Sequence, residues 1–128
     1  MASGKTAVAY DANNVFAKIL CGEIPCNKVY EDDHVLAFHD VNPQTPVHVL
    51  VIPKGPYVSV DDFAEHASET EIVAFVRAVG KIARDLGVAG SGYRFLSNSG
   101  ADAHQEVPHF HVHIFGGRRL GRMIQPPA

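Results

Sequence analysis

Cysteine is scarce. The 128 residues contain two, Cys21 and Cys26. Their spacing matches neither a C-x-x-C redox pair nor a zinc knuckle, so two free thiols in a reducing compartment is a simpler reading than a disulfide. No run approaches the ~20 apolar residues that span a bilayer. The opening MASGKTAVAYDANN has no apolar core of signal-peptide length. A cytoplasmic protein with no membrane partner is the expectation. Long basic runs are missing too, and the formal net charge is −3. This argues against a nucleic-acid-binding face, with only Arg118, Arg119 and Arg122 clustered to meet an anion. Internal repeats and low-complexity segments are also absent.

What is present fits one ordinary globular domain. Hydrophobic residues make up 46% and charged residues 20%. A chain of this length buries roughly two-thirds of its unfolded surface, enough for a core without staples. Residues 1–12 read as a flexible tail, 13–117 as the domain, and 118–128, too rich in proline to continue an element, as a second tail.

Along the domain, Asp11, Asn13 and Asn14 are N-cap types. VFAKIL follows with helical spacing, and Gly22 stops the run, which predicts a helix over 14–21. KVYE and HVLAFHD flank an Asp-Asp turn as a hairpin. NPQTP is a loop. VHVLVIP has the length and β-branching of a strand buried on both faces, with His48 oddly inside it. Residues 54–68 read as a connector. SETEIVAFVRAVGKIARDLG is the clearest helix, with capping-box spacing at Ser68 and Glu71. Its stripe is Ile72, Phe75, Val76, Val79, Ala83 and Leu86, and its stop is Gly87. The interior Gly80 calls for a close packing contact, because it costs about 1 kcal/mol relative to Ala. GYRFLSN and VPHFHVHIFGG are the last two strands, with the loop SGADAHQE between them. The order α-ββ-β-α-ββ suits an antiparallel α+β sheet.

Three of the eight histidines fall in five positions: His109, His111 and His113. On a strand these rings share one face, and Phe110, Val112 and Ile114 share the other. Crowded imidazoles lower one another's pKa and stay neutral near pH 7. Neutral imidazoles serve as metal ligands or as nucleophiles. For a metal, His48, His104 or Glu106 could complete the set. For attack on phosphorus, one ring is the nucleophile while its neighbours fix its tautomer and protonate the leaving group.

The run His109-Phe110-His111-Val112-His113-Ile114-Phe115 resembles the histidine-triad (HIT) motif. VFAKILCGEIP, VYEDDHVLAFHDVNPQTPVHVLVIPK, GYRFLSNSGADAHQEV and GGR resemble the nucleotide-binding, phosphoramidase-like branch, in its bacterial form. The resemblance runs over roughly residues 14–125. It implies a five-stranded antiparallel sheet with two helices per protomer, and a homodimer whose sheet is a continuous ten strands. It implies hydrolysis at the α-phosphorus of purine nucleoside phosphoramidates or acyl-adenylates, through a nucleotidyl-histidine intermediate and with no cofactor. A dinucleoside polyphosphate hydrolase of the same family, or a metal-binding protein using the His cluster, are the alternatives.

By the same resemblance His111 is the nucleophile. His113 contacts the phosphate and assists the leaving group, with His109 and His48 in the supporting network. Val15, Phe16, Ile19, Phe38 and Val41 would form the slot for the base, although periodicity alone reads them as core. His39 and Asp40 would flank the ribose, with Asp40 also able to cap the turn into NPQTP. Asn98, Gln105 and the backbone of Glu106 and Val107 would surround the phosphate. The C-terminal tail would reach the partner's site. No metal is assigned, because Asn14 and Ala17 stand where some relatives carry zinc-binding cysteines.

Overall fold

A computed structural model describes residues 9–124. The elements are α1 (Val15–Leu20), β1 (Lys28–Glu31), β2 (Val35–His39), β3 (Val47–Pro53), α2 (Val60–His66), α3 (Glu69–Asp85), β4 (Arg94–Leu96) and β5 (Val112–Gly116). The five strands form one antiparallel sheet in the order β1-β2-β3-β5-β4. No helix among the described residues is long and apolar enough to cross a membrane.

β3 is the middle strand and is buried along nearly its whole length, as its apolar run requires. Directly paired residues share a face, so the register sorts the sheet into two sides. On one side Val35, Ala37, Val49, Val51, Val112 and Ile114 pack under α3. On the other, Leu36, Phe38, Leu50 and Ile52 pack against Phe16 of α1. His48, His113 and Phe115 lie on this second side, since His48 pairs with Phe115 and Leu50 with His113.

The connector contains a helix, so the described residues hold three α-helices where two were expected. α2 places Phe63 against Phe75 and Phe110, at centroid distances of 5.4 and 5.2 Å. Ser59 followed by Asp61 and Asp62 was the available signal, since acidic residues favour a helix's first turn. In α3 the capping box of Ser68 and Glu71 is present, and Gly87 ends the helix at φ +76°. The buried stripe runs through Phe75, Ala78, Val79, Ile82 and Ala83, whereas Val76 is 65% exposed. Among the described residues a Cβ at Gly80 would meet only the Arg84 guanidinium at 3.5 Å, so no close contact among them requires that glycine.

β5 is shorter than the predicted 107–117. Pro108 has no N–H to give, and the Phe110 N–H donates to the Tyr57 carbonyl instead of to a ladder partner. His109 and His111 therefore precede the ladder, although Phe110 and Val112 still face the α3 side. β4 shrinks likewise to three residues. Of the predicted N-terminal tail, residues 1–8 lie outside the described residues. Its end is anchored by Tyr10, which bonds to His109, and by Asp11, whose carbonyl receives the Asn14 backbone and side-chain N–H groups. In the C-terminal tail, Arg94 donates to the Gly121 carbonyl at 2.6 Å, and residues 125–128 lie outside the described residues.

Candidate active site

On the α1 side of the sheet lies a cleft of about 600 Å³. Of the fifteen residues expected at the site, all but His109 and Gln105 line it. Asn14 caps α1 by accepting from the Ala17 N–H at 2.9 Å. The helix then presents Val15, Phe16 and Ile19 to the cleft, opposite Phe38. Phe16 serves as both core and cleft wall. It meets Phe38 edge-on at 5.6 Å and the His111 ring edge-on at 5.0 Å. Val41 stands on the rim, 99% exposed. His39 is exposed at the end of β2.

Hydrogen bonds set each imidazole's tautomer, because a carbonyl oxygen only accepts and a backbone N–H only donates. The His109 carbonyl lies 2.7 Å from His111 Nδ1. His111 thus carries its proton on Nδ1, leaving the Nε2 lone pair free. His109 is fully buried; its Nε2–H donates to the Pro53 carbonyl at 2.8 Å, and its Nδ1 accepts from the Tyr10 hydroxyl at 2.7 Å. His48 Nδ1 accepts from the Gln44 N–H at 3.0 Å, so its proton is on Nε2, which faces His113 Nδ1 at 3.0 Å. His113 then holds its proton on Nε2, as the free donor of a ring that lines the cleft.

Burial keeps all four rings neutral. His109 and His113 are pushed down to about 4, chiefly by desolvation and then by neighbouring imidazoles. His48 and His111 are lowered by the same cause, opposed in both by the Asp40 carboxylate and in His111 also by its bond to the His109 carbonyl and by Glu106. Asp40 has two tasks. One oxygen accepts from the Asn42 N–H at 2.8 Å and caps the turn, while the other lies 3.4 Å from His48 Nε2. Asp40, His48 and His113 could together hold a cation, since their ligand atoms lie within 4.8 Å of one another. Doing so would break the His48–His113 hydrogen bond.

Gln105 departs from its expected place. Its side chain accepts from the Gly100 N–H and donates to the Val58 and Val107 carbonyls, so it braces the loop before the triad. In that loop His104 takes a left-handed conformation at φ 56° and lines the cleft. Sequence reasoning missed Tyr10. It also missed Ser97, whose hydroxyl donates to the His111 carbonyl at 2.6 Å, and the wall residues Ile24, Pro25 and Cys26. Tyr10 and Ser97 act on residues far away in sequence, where no periodicity signals them.

The HIT-domain family model matches residues 21–120. The chain belongs to the HIT family. An uncharacterised HIT-like protein of Azospirillum brasilense is 64% identical, over 92% of this chain and 97% of its own. The purine nucleoside phosphoramidase of Escherichia coli K12 is 43% identical, over 86% of this chain and 92% of its own. A solved HIT family hydrolase from Clostridium thermocellum superimposes with a TM-score of 0.77 at 40% identity, covering 88% of this HIT chain and 97% of that one. The five-stranded antiparallel sheet described above is therefore a HIT fold.

Proposed function

We propose that this HIT protein is a purine nucleoside phosphoramidase, hydrolysing at the α-phosphorus through a nucleotidyl-His111 intermediate. The observation that carries this is the fixed His111 tautomer. Its Nδ1–H is held by the His109 carbonyl, and its Nε2 is free in an apolar-walled cleft next to His113. The 43% identity to the Escherichia coli phosphoramidase supports the substrate class.

In the first step His111 Nε2 attacks phosphorus and the P–N bond breaks. Binding of an anionic phosphate raises the affinity of the neighbouring imidazoles for a proton, so the complex takes up one proton at the His48–His113 pair. His113 delivers that proton to the leaving amine. In the second step His113 accepts a proton from water as it attacks the phospho-imidazole. The nucleoside monophosphate leaves, and His111 is regenerated neutral. Val15, Phe16, Ile19, Phe38 and Val41 hold the base, and an apolar slot of this kind accepts adenine or guanine. His39 and Asp40 flank the ribose. Asn98 and the backbone N–H groups of Glu106 and Val107 meet the phosphate charge, as preorganised dipoles do. Gln105 holds that loop in shape.

A homodimer joined through β4 completes the reading. The β1 edge carries Lys28 paired with Glu31, and charged edges resist pairing. The β4 edge instead exposes Phe95 at 55% and Tyr93 at 42%. Pairing β4 with its twofold copy would give a continuous ten-stranded sheet. The location that suits this chemistry is the cytoplasm.

The test is His111→Ala against adenosine 5′-phosphoramidate. The variant is expected to lose turnover while AMP still binds, and full retained activity would contradict the assignment. Running diadenosine polyphosphates beside it separates the two hydrolase classes. Activity abolished by chelators would favour a metal enzyme instead.

A further inference from the structure

The geometry points to Tyr10 as a positioning residue for the triad, acting through His109 on the nucleophile. The inference rests on the nucleotidyl-His111 reading. His109 is fully buried and spends its Nε2–H on the Pro53 carbonyl. Its Nδ1 must then accept a hydrogen bond or stay buried and unpaired, which is unfavourable. Among the described residues the Tyr10 hydroxyl, at 2.7 Å, is the donor that reaches it. The Tyr10 ring also meets the imidazole edge-on, with centroids 5.5 Å apart.

With Tyr10 on one side and Pro53 on the other, the His109 ring cannot rotate without breaking a hydrogen bond. The same residue's carbonyl holds the His111 Nδ1 proton. Fixing His109 therefore fixes the acceptor that sets which nitrogen of His111 is free. The connection closes through the helix as well. The Asp11 carbonyl, one residue on, accepts from both N–H groups of Asn14. Asn14 caps α1, and α1 carries Phe16, whose ring abuts both His111 and His109, at 5.0 and 6.3 Å. Residues 10–16 thus form a strap from the far side of the triad to the cleft wall.

Tyr10→Phe removes the hydroxyl and keeps the ring. It is expected to lower kcat about tenfold, the effect of losing one buried hydrogen bond in the working geometry. The AMP dissociation constant should stay within about twofold, because no contact to the nucleotide changes. In a His109→Gln background the same substitution should add nothing. An unchanged kcat per folded molecule, with only a lower Tm, would overturn the inference and leave Tyr10 a structural tether. A second readout needs no variant. Imidazole ¹⁵N spectra of the unaltered protein should show His109 protonated at Nε2 and hydrogen-bonded without a proton at Nδ1; the opposite tautomer would overturn it even if Tyr10→Phe failed to fold. Failure of the wider reading looks different, since His111→Ala would then keep its activity whatever the His109 tautomer.

Discussion

Lowering the pH from 7 to 5 should cost this fold about 2 kcal/mol through His109 alone. The ring is fully buried, and its pKa falls from an ordinary 6.5 to about 4. The folded state therefore binds fewer protons than the unfolded state between those two values. Stability must drop as pH falls through 6.5, and go on dropping until about 4. At pH 5 the unfolded state gains about 1.5 pH units of protonation energy, and each unit is worth about 1.4 kcal/mol. At pH 7 the same contribution is only a few tenths. Glu31, held down to about 2 by Lys28 and Lys54, titrates below this window, whereas His113, also pushed down to about 4, shares it. The assay is the urea midpoint at each pH, at one protein concentration so that any association is held constant. The control is His109→Gln, which should be less stable at pH 7 but lose about 2 kcal/mol less on acidification. An identical pH dependence in the two proteins would refute the reasoning.

Other outcomes follow from the glycines and from the sheet edge. Gly80→Ala should stabilise the chain by about 1 kcal/mol, since the helix gains propensity and the new methyl meets only Arg84. Loss of stability on chemical denaturation would mean that something beyond the described residues packs there. Gly117→Ala should destabilise by about 1–3 kcal/mol, because the residue sits at φ +87° and its Cβ would lie 2.9 Å from Pro46; a Tm unchanged from the parent would refute this. Phe95→Glu should shift sedimentation equilibrium towards the monomer if β4 joins two copies, while a parent that is already monomeric would remove the dimer.

The sheet was legible because its signals are local. VHVLVIP is apolar at almost every position, and it became the central strand. The alternation from His109 to Ile114 correctly separated rings from core even though the ladder starts only at Val112. Ser68 and Glu71 announced α3 three residues apart. What was missed depends on distance or on competing signals. α2 is seven residues long and has one buried aromatic, too little to show a period. Val76 fits a helical stripe as well as Ala78 does, yet Ala78 is buried and Val76 is exposed. Gln105 carries a chemistry suited to phosphate, yet Gly100 and Val107 of its own loop and the Val58 carbonyl, 47 positions away, claim it. Tyr10 reaches His109 across 99 positions, a contact that no pattern in one sequence encodes.

The central claim is that His111 becomes covalently nucleotidylated. Rapid acid-free quenching of the enzyme with adenosine 5′-phosphoramidate, followed by peptide mass mapping, tests it most directly. The account predicts one adenylyl group on the peptide bearing the triad, with fragmentation placing it on His111 and its loss on further incubation with water. An adduct on His113 or another residue, or turnover by His111→Ala, would contradict it.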